Sequence, residues 1–134
     1  MTEPEKNFAA VHVDDAPEVV APDGSAVRVL VRTARGSMAR FSLPPFAVSR
    51  AVAHRTVDEV WYFLSGNGRM WLRSGDRKAI IDVAAGMSVA IPVGTAFQFR
   101  SDSAEPLQAV GVTMPPWPGE DEALPVEGPW SATI

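Results

Sequence analysis

The chain has 134 residues, a length that one hydrophobic core organises readily and two independent domains would divide too thinly. With 46% hydrophobic and 21% charged residues it lies near the globular average, which excludes global disorder, and a formal charge of −4 supplies no basic excess for a phosphate backbone, so no nucleic-acid partner is expected. Zero cysteines remove disulfides, thiolate catalysis and Cys-ligated metal, and two histidines, His12 and His54, are too few for a three-imidazole metal site from one copy of the chain.

The opening Met1-Thr2-Glu3-Pro4-Glu5-Lys6 is acidic and polar where a secretory leader needs a basic stretch followed by an apolar one. The longest apolar run, 60–64, is far below the roughly 18 residues of a spanning helix. A soluble cytoplasmic protein with no membrane partner is therefore expected.

In chain order, segments rich in Val, Ile, Phe and Trp predict strands over 8–13, 26–33, 37–43, 59–65, 68–73, 78–83, 88–91, 96–100 and 107–114. Turns fall between them at Pro22-Asp23-Gly24, Arg35-Gly36, Ser65-Gly66-Asn67-Gly68, Ser74-Gly75-Asp76 and Ala85-Gly86, where a residue tolerates positive φ or caps the turn. No amphipathic stretch of helix length separates the strands, so the pattern argues for an all-β sandwich or barrel. Residues 115–134 hold five prolines and the acidic run Glu120-Asp121-Glu122, which reads as a solvated turn in an irregular C-terminal arm carrying Trp117 and Trp130.

Alternation along 59–65 puts Glu59, Trp61 and Phe63 on one face of a strand and Val60, Tyr62 and Leu64 on the other. The same rule groups Phe97 with Phe99, and Gln98 with Arg100. One of Met70 and Trp71 must face inward, and the pattern leaves open which.

Two spacings carry a family resemblance. Across Phe46, Val52, His54, Glu59 and Gly66 the chain keeps the spacing of G-x5-H-x-H-x(3,4)-E-x6-G, and across Gly86, Pro92, Gly94, Phe97 and Ser101 that of G-x5-P-x-G-x2-H-x3-N. In this it resembles the cupin superfamily over about 27–114, within one domain of 1–134. The resemblance implies a jelly-roll β-barrel, the double-stranded β-helix. It also implies a degenerate metal site, because Val52 and Phe97 stand where two ligand imidazoles would be and only His54 and Glu59 remain. Two protein ligands leave a first-row ion mostly to water, so neither metal nor other cofactor is expected.

If Glu59 and Phe97 point inward as the resemblance implies, a small polar pair sits among Phe46, Trp61, Phe63, Phe97 and Phe99. A carboxylate behind such a wall loses hydration and calls for a proton-sharing neighbour, and His54 is the one at hand. A His and Glu pair in an apolar pocket is equipment for moving a proton on and off a bound molecule. The leading expectation is metal-independent acid/base catalysis, of isomerase, dehydratase or cyclase type, on a small apolar or aromatic compound. Three alternatives stay open: a non-catalytic small-molecule-binding cupin, a weakly metal-binding cupin enzyme, and a closed core in which His54 and Glu59 merely satisfy each other. Pocket volume separates the last from the rest. Arg40, Arg50 and Arg100 are read as solvated, and His12 as a surface or partly packed residue. A homodimer is expected, through outward Tyr62 and Leu64, the aromatic arm, or strand addition by 8–13.

Overall fold

The computed structural model describes residues 8–134, in which eleven strands form two antiparallel sheets of jelly-roll type. They are β1 (Glu18–Val20), β2 (Ala26–Arg32), β3 (Ser37–Leu43), β4 (Val52–His54), β5 (Asp58–Ser65), β6 (Asn67–Ser74), β7 (Arg77–Ala84), β8 (Ser88–Ile91), β9 (Ala96–Ser101), β10 (Leu107–Met114) and β11 (Ala123–Pro125). One sheet has the order β1-β2-β3-β10-β5-β8 and the other β11-β4-β9-β6-β7.

Side-chain alternation decides which residues fill the space between the sheets. On β5, Glu59, Trp61 and Phe63 are buried while Val60, Tyr62 and Leu64 are exposed. On β10, Leu107, Ala109, Gly111 and Thr113 face inward. The core formed with Leu43, Met70, Phe97, Phe99 and Ile91 is dominated by rings, with Phe41 stacked on Trp61 at 4.6 Å between centroids. Gly111 makes that stack possible: a Cβ there would lie 2.7 Å from Phe41 Cε2.

The choice between Met70 and Trp71 is resolved inward for Met70. Trp71 lies on the outer face of the second sheet, where the C-terminal arm covers it: Ala51, Trp71 and Ala96 form a second small core with Ala53, Val126 and Trp130. Gln98, also on that face, is buried because its amide donates to Ser49 O at 2.8 Å and Trp130 O at 2.9 Å. Arg69 and Arg100 flank the Trp130 ring, and both bond Asp102. Their charges and hydrogen bonds outweigh the upward push of desolvation and hold the Asp102 carboxyl below its usual range.

The expected strand over 8–13 does not form. Residues 8–12 have no sheet partner, and Val13–Asp15 makes a 3-10 turn whose Asp14 N–H donates to His12 Nδ1 at 3.1 Å. The edge of the first sheet is taken by Glu18–Val20, pairing with β2. Within this chain the strand expected over 8–13 is therefore corrected to an unpaired lead-in whose Phe8 lies in solvent.

Candidate functional site

His54 closes β4 in one sheet and Glu59 enters β5 in the other, so the short connection 55–57 swings the chain between sheets and leaves the two side chains facing each other. His54 Nδ1 lies 2.9 Å from Glu59 Oε1, with residue exposures of 6% and 1%. The contact is close but lacks the alignment of a hydrogen bond, and no other group bonds either atom. Glu59 Oε2 accepts the Trp61 indole N–H at 2.6 Å. The carboxylate is thus divided between an indole and an imidazole, and no described residue hydrogen-bonds His54 Nε2.

Aromatic rings surround the pair. Phe97 meets the His54 ring edge-on at 5.2 Å, and Trp117 does so from the arm at 5.1 Å. Trp61 is in edge contact with Phe97 at 5.8 Å and Phe99 at 5.0 Å, and in tilted contact with Phe63 at 6.0 Å. His54, Glu59, Trp61, Phe63, Phe97 and Phe99 therefore come together, as a closed packing in which each of the four rings is at most 1% exposed.

Phe46 does not join them. It follows the end of β3 at Leu43, which pairs with Leu107, whereas the Ser37 end of β3 pairs with Thr113 beside Glu59. Phe46 is 64% exposed at φ 62°, a left-handed conformation where the family spacing has glycine. Arg40 points to the outer face of the first sheet, Arg50 bonds the Ile134 carbonyl, and Arg100 bonds Asp102.

Two carboxylates escape a linear reading of the chain. Glu122, in the run read as a solvated turn, is 4% exposed. Its carboxylate accepts from the Thr56 N–H at 2.6 Å, the Thr56 hydroxyl and the Val57 N–H at 3.0 Å, gripping the connection between His54 and Glu59. Desolvation pushes the Glu122 carboxyl up, but these bonds and the nearby His54 outweigh it and leave it below the usual range. Asp23, in a turn, is buried and accepts from Ser25 N at 2.9 Å and Ser25 Oγ at 2.6 Å. Burial pushes its carboxyl up against those bonds; Glu59 adds to the rise and His54 opposes it. No local pattern marks Glu122, because β11, which pairs Ala123 with His54 and brings the carboxylate in, spans three residues.

Two surface clefts lie elsewhere on the molecule. One of about 320 Å³ is lined by Arg69, Asp82, Met87 and Asp102 among others, remote from the pair. The other, of about 580 Å³, is lined by Arg55, Thr56, Pro118, Gly119 and the 120–122 run, just outside Trp117. Neither is lined by His54 or Glu59, which the arm encloses.

A profile of the Cupin domain matches residues 39–113, more than half of the chain. The chain belongs to the cupin family. Comparison with curated proteins gives no match. Among solved structures, the Streptomyces nucleoside dehydratase Pac13 is 15% identical with a TM-score of 0.69, covering 90% of this chain and 92% of that one. The polyketide cyclase RemF of Streptomyces resistomycificus is 20% identical with a TM-score of 0.69, over 90% and 87%. The capsular polysaccharide assembling protein CapF of Staphylococcus aureus is 18% identical with a TM-score of 0.71; this cupin covers 84% of itself but 34% of CapF.

The family's metal finds a poor set of donors here. Val52 and Phe97 offer no lone pair, one Glu59 oxygen is taken by Trp61, and no group of three His, Cys, Asp or Glu suited to a metal occurs among the described residues. Nor is any helix among them long and apolar enough to cross a membrane.

Proposed function

We propose that this cupin moves protons on a small, largely apolar or aromatic molecule, without a metal, in a reaction of isomerase, dehydratase or cyclase type. One observation carries the reading: Glu59 is held at Oε2 by Trp61 while Oε1 faces His54 Nδ1. A carboxylate so fixed faces one ring nitrogen of the imidazole, which leaves Nε2 as the atom that takes a proton from one position of the substrate and returns it at another. Glu59 is the orienting partner. Trp61, Phe63, Phe97 and Phe99 would supply the apolar wall. The nucleoside dehydratase and polyketide cyclase of similar fold support acid/base work on ring compounds as the class to test first, by analogy of scaffold.

The test is a thermal-shift screen with uridine and a panel of planar phenolic compounds, followed by mass analysis of products. His54→Ala should keep binding and lose at least a hundredfold in turnover. Turnover unchanged in that variant overturns the proposal. Elemental analysis of the purified protein is the companion measurement, because stoichiometric iron, nickel, manganese or zinc would overturn the metal-free step.

The enclosure of the pair favours a second reading, a closed core in which the two groups serve packing: Trp61, Phe63, Phe97 and Phe99 are each at most 1% exposed. Absence of any ligand-induced shift would select it. Binding without conversion would select a non-catalytic binder.

We also infer a homodimer through the outer face of the first sheet. There Val60, Tyr62 and Leu64 are 45%, 51% and 45% exposed beside Val110 and Val112 of β10, an apolar stripe suited to a twofold partner.

A further inference from the structure

We propose that the indole of Trp117 is a built-in occupant of the ligand site, and that a planar aromatic molecule of one or two rings enters by displacing it. The inference rests on the His54–Glu59 pair being the working site, and it adds the site's closure and the shape of what opens it. Trp117 packs against the main core and lies edge-on to His54, so it covers the imidazole from the open end of the barrel.

The chain around Trp117 is lightly held. It lies between β10, which ends at Met114, and β11, which begins at Ala123 and is paired with β4. Pro115, Pro116 and Pro118 have no N–H to give to a ladder. The Trp117 backbone N–H donates to Ser37 Oγ at 2.9 Å, and Ser37 Oγ lies 2.6 Å from Thr113 Oγ1. The Trp117 indole N–H bonds no described residue, in contrast to that of Trp61.

Both flanks are anchored firmly. Glu122 grips Thr56 and Val57, and beyond it the arm is bound through Gln98 to Trp130 and through Val48 to Thr133. The Asp121 carbonyl also accepts from Arg55 Nη1 at 3.3 Å, which confines motion to 115–120. Gly119, at φ 139°, sits in a backbone region that other residues rarely enter, which suits it to a hinge. The 580 Å³ cleft beside 118–122 gives the displaced segment and an incoming ring room to pass. When Trp117 leaves, its seat against His54 accepts a flat ring, and the freed Ser37 hydroxyl can bond a polar substituent.

The experiment uses indole as the probe on the full chain. Trp117→Ala, shown folded by circular dichroism, should bind indole at least tenfold more tightly than the unsubstituted protein by calorimetry. A folded Trp117→Ala that binds indole no better overturns the proposal. If that variant does not fold, the chain is labelled with 5-fluorotryptophan and its four fluorine resonances are followed as indole is added, Trp117 being assigned with Trp117→Phe. Movement of the Trp117 resonance with that of Trp71, on the outer face of the second sheet, unmoved supports displacement; a static Trp117 resonance overturns it. The two proposals fail separately: indole binding by Trp117→Ala with no turnover of any compound leaves the plug standing and removes the catalytic reading. Turnover abolished in His54→Ala while Trp117→Ala gains no indole affinity does the reverse.

Discussion

Trp61 donates its indole N–H to Glu59 from two positions along the same strand, at 2.6 Å. Strand periodicity puts both side chains on the inner face, so the ring that fills the core also satisfies the acid buried in it. Replacing Trp61 by Phe keeps an aromatic ring and removes the donor, and should cost about 1–3 kcal/mol because a buried carboxylate oxygen is left unpaired. In a Glu59→Gln background the same change should cost less, since the charge is gone. Urea unfolding of the two single variants and the double variant measures the coupling; strict additivity would show that the bond contributes nothing.

The stack of Phe41 on Trp61 depends on the missing side chain at Gly111. Gly111→Ala places a methyl 2.7 Å from Phe41 and 3.0 Å from Trp61. Overpacking of this kind should destabilise by about 1–3 kcal/mol and disturb the near-ultraviolet circular dichroism of the tryptophans.

Acid should separate the two overlooked carboxylates by sign. Glu122 is held below its ordinary 4.5, so its contribution is complete above that pH and is lost as pH falls through the folded value. Asp23 is raised above 3.8, so the folded state takes up its proton first and the Asp23 contribution grows more favourable as pH falls through the raised value. Melting temperatures from pH 7 to pH 3 should therefore fall less steeply for Glu122→Gln than for the unsubstituted protein. Asp23→Asn, which keeps an acceptor for Ser25, should be neutral or stabilising at pH 7 and lose that advantage in acid.

The outer stripe on β5 predicts its own disruption. Leu64→Arg places a charge in the centre of an apolar contact, and light scattering should show the dimer converting to monomer with the melting curve of the isolated chain little changed. A monomer before substitution would remove the dimer proposal.

The family and the inner face were legible in the sequence because both are periodic. Alternation over 59–65 assigned Glu59, Trp61 and Phe63 to one side, and the cupin spacing assigned His54 and the hydrocarbon residues Val52 and Phe97 to the old ligand positions. Local periodicity also assigned most strands, while short ones such as Val52–His54 and Ala123–Pro125 carried too few residues to show a period.

Contacts between distant segments belonged to the tertiary structure. An acidic run reads as solvated until the arm carries Glu122 back onto Thr56, more than sixty residues earlier in the chain, where backbone N–H groups replace water around it. Phe46 fits a family spacing, yet sheet register sends it to the far end of the barrel. Trp117 is one aromatic among prolines until the arm folds and sets it against His54. Periodicity encodes which face a side chain takes along its own strand, whereas burial, pairing and closure depend on which segment arrives on the other side, and that is set by the packing of the whole chain.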